Sequence, residues 1–410
     1  MSYLSNRVNK MAESETLAMT RVANELKAQG LDVISLSIGE PDFDTPMNVK
    51  NFAKQAIDEN WTHYPPVPGY PELRKAISEK FKRDNNLDYS PNQIVVTNGA
   101  KQAIYETVMA LVNPGDEVII PTPYWVSYKE IVKMAEGTPI YIKTTIEDDF
   151  KITPQQLEAA ITPKSKLMMF STPSNPTGML YTKEELKALA EVVAKYPNLF
   201  IMADEIYEHI NFEGKHESIA QFDFIYDKVI TINGVAKGFA MTGWRIGFLG
   251  ASVEIAKACD KLQGQITSGA CTIAQRAVIE AMKIDPKTSK DIIGMRETFR
   301  KRRDMMHDLL LNIPNIKINN PQGAFYFFID ISSYLGKSVA PNSKFAQMYH
   351  KTTIENSTDL CMYFLYDAQV ALVQGEAFGD DGCIRISYAT SEDKLKEAYN
   401  RIHKAFIDLK

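Results

Sequence analysis

The sequence predicts an α/β fold: a mainly parallel sheet covered by helices, followed by a smaller α+β unit. From about residue 92, short β-branched runs alternate with longer amphipathic stretches, the repeated pattern of strand and crossover helix. After Pro286 the alternation gives way to a long charged stretch, two further strands and a closing helix. A chain of 410 residues also exceeds the size at which one hydrophobic core usually stops growing, so two domains are expected.

Residues 1–45 hold one amphipathic helix over 17–28, ended by Gly30, and no core of their own. They are expected to pack on the second domain. Strands are predicted at 94–97, 117–120, 166–170, 199–203, 229–233 and 246–249, with helices at 103–111, 184–193 and 253–262. Pro114-Gly115 and Pro121-Thr122-Pro123 break the chain between elements. In the charged stretch, Arg296, Arg300, Lys301, Arg302 and Arg303 interleave with Glu297 and Asp304, which reads as a solvated helix face. Strands at 324–329 and 383–387 and a helix from about Ser391 follow. The predicted division is a large domain over 46–290 and a discontinuous small one made of 1–45 and 291–410.

Composition excludes several function classes. Lys and Arg number 46 against 51 Asp and Glu, a formal charge of −5, the wrong sign for holding a nucleic-acid backbone by bulk electrostatics. No run approaches 18 uncharged apolar residues, and Arg7, Lys10, Glu13 and Glu15 occupy the start of the chain; neither a membrane span nor a signal peptide is expected, and the location expected is cytoplasmic. Cys259, Cys271, Cys361 and Cys383 lie far apart and read as buried free thiols. His209 and His216 are the closest histidines, with no third ligand nearby, so no metal site is expected.

No Gly-x-Gly-x-x-Gly follows a strand, Ile331 stands where a phosphate loop ending in Gly336-Lys337-Ser338 needs its first glycine, and there is no Gly-x-Ser-x-Gly elbow. What remains are polar residues at the carboxyl ends of predicted strands, where open α/β sheets bind ligands. Asn98-Gly99-Ala100-Lys101 is either an ordinary strand-to-helix turn or an anion site at a helix N-terminus. Asp204 is either a helix cap or the partner of a buried cation. Lys237 sits in a Gly- and aromatic-rich, weakly charged loop after the strand ending at Asn233; it is a surface lysine or an amine whose desolvation frees its lone pair for nucleophilic work.

Taken in order, Ser37-Ile38-Gly39-Glu40-Pro41-Asp42-Phe43, Tyr64 with Gly69-Tyr70-Pro71-Glu72-Leu73-Arg74, Asn98 to Ala103, Pro123-Tyr124-Trp125-Val126-Ser127-Tyr128, Asn175-Pro176-Thr177-Gly178, Asp204 to Glu208, Lys237 to Arg245 and Arg385-Ile386-Ser387-Tyr388-Ala389 resemble the class I aminotransferases of pyridoxal-phosphate fold type I, in their bacterial aspartate aminotransferase branch. The resemblance spans nearly the whole chain and implies a seven-stranded, mainly parallel large sheet.

It also implies roles. Lys237 would form the Schiff base with pyridoxal 5'-phosphate and, once displaced by the substrate amine, shuttle the proton between Cα and the cofactor carbon. Asp204 would pair with the pyridine nitrogen, Tyr207 and Asn175 would hydrogen-bond the ring oxygen, and Trp125 would lie against the ring. The phosphate would be held by the backbone of Gly99, Ala100 and Lys101, by Arg245, and by Tyr64 from the second subunit of a homodimer. Gly234 and Ala236 stand where many members carry hydroxyls. Arg385, read alone as a strand arginine in a salt bridge, would bind the substrate α-carboxylate with Asn175 and Gly39. Lys101, with Ser14 and Thr16 nearby in role, would meet a distal carboxylate, or is a solvated first-turn residue. The partners implied are small amino acids and 2-oxo acids: aspartate with 2-oxoglutarate, or prephenate, aromatic amino acids or alanine; a lyase or synthase on the same cofactor residues is the other reading the resemblance leaves open. The stretch 333–358 is longer than the branch usually has.

Overall fold

The computed structural model describes residues 3–410. Its first strand, β1 (Ile34–Ser35), belongs with the C-terminal part of the chain. The next seven, β2 (Ile94–Thr97), β3 (Glu117–Pro121), β4 (Thr138–Ile142), β5 (Ser165–Ser171), β6 (Phe200–Asp204), β7 (Val229–Gly234) and β8 (Gly247–Gly250), form one sheet in the order β2-β8-β7-β6-β5-β3-β4. Only β8 runs antiparallel to its neighbours. The sequence expectation of a mainly parallel seven-stranded sheet is met.

Strand periodicity sends alternate side chains to opposite faces. Ile201, Ala203 and Val229 pack under Leu186, Leu189 and Val193 of the helix Lys183–Ala194, whereas Met202, Ile230 and Ile232 pack with Ala103, Ile104 and Val108 of the helix Ala100–Leu111. Both faces are covered, which is why these strands are continuous apolar runs. Each such Ile, Leu or Val contributes roughly 1.5–3 kcal/mol by leaving water. The edge strand β4 was not expected from sequence. It contains Pro139 and is only half-buried, so it lacks both the apolar run and the alternation, as a proline-bearing edge strand can.

A second sheet comprises β9 (Tyr326–Asp330), β11 (Val373–Gln374) and β12 (Cys383–Ser387), antiparallel in the order β11-β12-β9, while β10 (Val370–Ala371) pairs in parallel with β1. Its core joins Met19, Ala23 and Leu26 of the helix Glu15–Ala28 to Phe299, Met306 and Leu310 of the helix Lys290–Leu310 and to Ile402 and Phe406 of the helix Glu392–Asp408. The expectation of a solvated arginine face needs correction here. Arg302 and Arg303 share the inward side of their helix with Phe299 and Met306, and both are buried. Arg302 donates to both carboxylate oxygens of Asp42 at 2.6 and 2.9 Å, and Arg303 donates to the Pro321 carbonyl at 2.8 Å, which compensates for their loss of water. A second correction concerns Cys271. It is exposed at the N-cap of the helix Thr272–Lys283, whereas the other three thiols are buried; all four are free. No helix among the described residues is long and apolar enough to cross a membrane.

Candidate active site

Because β8 runs antiparallel between β2 and β7, those two strands point the same way. Their carboxyl ends therefore share one edge with those of β5 and β6. Gly247, paired with both Thr97 and Gly234, has no side chain at the point where a Cβ would lie 2.2 Å from the Ala100 amide nitrogen. The helix Ala100–Leu111 thus starts directly against the sheet edge. Its N-cap is Gly99, at φ +81°, where a Cβ would lie 2.4 Å from an Arg245 Nη. No side chain caps the first-turn amides, and a cation stands beside them. This is the donor set of an anion site. Arg245 is fixed by donating to the carbonyls of Thr242 at 2.9 Å and Asn98 at 3.4 Å.

The edge opens into a cavity of about 520 Å³ that brings together Thr16, Gly39, Ala100, Lys101, Trp125, Asn175, Asp204, Tyr207, Lys237, Arg245 and Arg385. Gly99 adjoins it through Arg245. Ser14 lines a neighbouring pocket that shares Lys101. Tyr64 is 93% exposed and is not part of this chain's own cavity wall.

Electrostatics differ sharply along the wall. Burial, chiefly, brings Lys237 down to about 8, partly opposed by the nearby negative charge of Glu40; its amine donates to the Gly39 carbonyl. Burial pushes Asp204 up to about 6, partly offset by hydrogen bonds from the Tyr128 hydroxyl at 2.9 Å and the Ile206 amide at 3.3 Å. Arg385 is almost fully buried. It donates to Asn175 Oδ1 at 3.0 Å and the Ser37 carbonyl at 2.7 Å, while its Nε has no partner among the described residues. Spare donor capacity on a buried guanidinium suits a carboxylate. The Lys101 ammonium lies 5.0 Å from the Trp125 ring centroid on a residue that is exposed overall; partial desolvation at the cavity wall and the charge of Arg245 lower its pKa.

Sequence reasoning gave no role to three residues at or beside this site. Tyr128 holds Asp204; Tyr326 meets Tyr207 hydroxyl to hydroxyl at 2.8 Å; and Thr242 donates to Glu40, tying the lysine loop to the loop around Gly39. Tyr128 had a signal, since it ends the Pro123-to-Tyr128 motif. Tyr326 had none, because an aromatic in a buried strand reads as core.

The cavity suits a phosphorylated pyridine aldehyde. It offers an anion cradle emptied of a Cβ at Gly99, a desolvated amine, and a buried carboxylate that two neutral donors meet among the described residues. The relatives are of matching kind. The bifunctional aspartate aminotransferase and glutamate/aspartate-prephenate aminotransferase of Petunia hybrida is 46% identical over 408 residues, 99% of this chain and 83% of its own length. The aspartate/prephenate aminotransferase of Cereibacter sphaeroides is 44% identical, covering 98% of each chain. The crystal structure of the aspartate aminotransferase from Rhizobium meliloti superposes with a TM-score of 0.93 at 41% identity, covering 100% of both chains. That of Thermus thermophilus aspartate aminotransferase with maleate gives 0.90 at 39%, covering 99% of this chain and 100% of that one. With residues 31–402 matching the family Aminotransferase class I and II, this chain belongs to that family of pyridoxal-phosphate transferases.

Proposed function

We propose that the chain transfers the amino group of L-aspartate to 2-oxoglutarate, giving oxaloacetate and L-glutamate in two half-reactions with pyridoxal 5'-phosphate as carrier. The observation that carries this reading is the convergence of Lys237, Asp204 and Arg385 on one cavity. When bound, the cofactor supplies an aldehyde that accepts the amino group and a ring that takes up the electron pair left when Cα–H breaks. Asp204 and Tyr207 would hold its ring atoms, Trp125 its face, and Gly99, Ala100, Lys101 and Arg245 its phosphate. Arg385, with Asn175 and Gly39, grips the α-carboxylate. The Lys237 amine, neutral in a substantial fraction near pH 8, would take the Cα proton and pass it to the carbon that carried the cofactor's aldehyde within the same half-reaction, and move a proton the opposite way in the second. Lys101 meets the distal carboxylate.

In the same reading two subunits share each site, with Tyr64 of one reaching the phosphate bound by the other. Its 93% exposure in the single chain supports this. Residues 46–290 carry the cofactor, and 1–45 with 291–410 form the second, discontinuous domain. Three buried, unpaired cysteines suit a reducing, cytoplasmic setting. Prephenate is a second amino-group acceptor to consider, because relatives at 44–46% identity are named for it. An assay with aspartate as donor and a panel of oxo acids tests the reading. Oxaloacetate formation with 2-oxoglutarate is expected, and Lys237→Ala should lower it by about 10²–10⁴-fold, the range for a lost general base. Full activity in that variant would refute it.

A further inference from the structure

We infer that Tyr326 is a positioning residue that couples the carboxylate end of the cavity to the end where Tyr207 meets the cofactor; the inference rests on the cofactor reading above. Tyr326 opens β9 and pairs with Ser387 of β12. Arg385 lies two residues earlier on β12, hence diagonally across on the same face. Its guanidinium carbon sits 4.5 Å from the Tyr326 ring centroid and 5.0 Å from that of Phe378. At the other end of the same side chain, the Tyr326 hydroxyl is 2.8 Å from the Tyr207 hydroxyl. The loop carrying Gly39 closes over this contact so tightly that a Cβ there would lie 2.6 Å from the Tyr326 oxygen. Tyr326 is fully buried, so no water competes for its hydroxyl.

A phenol has one proton to give. If Tyr207 gives its proton to the cofactor's ring oxygen, its own oxygen is left to accept, and Tyr326 is the donor. A donor on the Tyr207 oxygen strengthens Tyr207 as a donor in turn. The positive charge of Arg385 over the Tyr326 ring polarises that hydroxyl in the same sense. The two ends of Tyr326 therefore act separately: the hydroxyl on the cofactor through Tyr207, the ring on carboxylate binding through Arg385.

The test is a pH titration of the visible band of the cofactor-loaded protein, with maleate binding measured alongside, in wild type, Tyr326→Phe, Tyr326→Leu, Tyr207→Phe and the Tyr207→Phe/Tyr326→Phe double variant. Weakening the donor to the ring oxygen should move the Tyr326→Phe midpoint to higher pH by roughly half to one pH unit, the size of one neutral hydrogen bond. The double variant should go no further than Tyr207→Phe. Maleate affinity should stay within about twofold in Tyr326→Phe and fall roughly 3- to 30-fold in Tyr326→Leu, as the cation–π contact is lost. An unmoved midpoint in Tyr326→Phe, or the same increment in the Tyr207→Phe background, would overturn the coupling. Unchanged maleate affinity in Tyr326→Leu would overturn the role of the ring. If wild type itself forms no visible band with pyridoxal phosphate, the cofactor reading fails, and this inference with it.

Discussion

Burial moves the two titratable groups at the centre of the cavity in opposite senses, and both toward the uncharged form. Asp204 rises from an ordinary 3.8 to about 6. Between those values the folded chain holds a proton that the unfolded chain has released, so this group's contribution to stability falls as pH rises through that window and its cost is complete above it. Lys237 falls from 10.5 to about 8; its cost is complete below about 8 and is relieved as pH rises toward 10.5. In the proposed reading a cationic ring nitrogen opposite Asp204 would remove the first cost. Asp204→Asn should therefore raise the Tm of the cofactor-free protein at pH 7.5, with the gain shrinking toward pH 4. In the loaded enzyme it should lower kcat by roughly 10²–10³-fold, if a charge pair of up to about 4 kcal/mol is lost. Thermal melts at the two pH values and steady-state kinetics check both parts. In the proposed reading two other side chains would divide substrate recognition: Arg385→Leu should raise KM for every amino acid, whereas Lys101→Ser should penalise aspartate and glutamate far more than alanine. Equal losses across substrates in Lys101→Ser would remove it as the selector.

At the scale of elements, the site depends on how closely the helix Ala100–Leu111 approaches β8. Backbone atoms occupy the space that a Gly247 side chain would need, and backbone cannot rotate away. Gly247→Ala should cost about 1–3 kcal/mol by overpacking and weaken cofactor binding by shifting the first-turn amides; denaturant melts and cofactor titration measure the two effects. The elements that carry this arrangement were readable in advance because buried parallel strands are continuous apolar runs, and their ends fall at Asn98, Asp204 and the loop of Lys237. Where one residue's meaning depends on a distant partner, the sequence was silent. Tyr326 and Tyr207 are 119 positions apart, and the strand holding Tyr326 looks like core. Arg302 is the reverse case: a local charge pattern suggested solvent, but the helical period that joins it to Phe299 and Met306 puts it inside, on Asp42. Removing that guanidinium, as in Arg302→Met, leaves the Asp42 carboxylate in reach of water and should lower stability by about 1–3 kcal/mol, the worth of hydrogen bonds to a charged group.

For the whole molecule, a net charge of −5 conceals a cavity lined by the cations Lys101, Arg245 and Arg385, which in the proposed reading would take up one phosphate and two carboxylates. Sharing of sites between subunits has a distinctive signature. Lys237→Ala and Tyr64→Ala, each impaired alone, should regain activity when unfolded together and refolded, because a hybrid dimer rebuilds one intact site from the unmutated halves. Recovery no greater than the sum of the separate proteins would exclude a shared site. The central claim, amino-group transfer in the Lys237 cavity, is tested most directly by a single turnover. Cofactor-loaded protein mixed with L-aspartate and no oxo acid should lose its visible band and release one oxaloacetate per subunit, then recover the band when 2-oxoglutarate is added. A band that persists, or an absence of oxaloacetate, would contradict it.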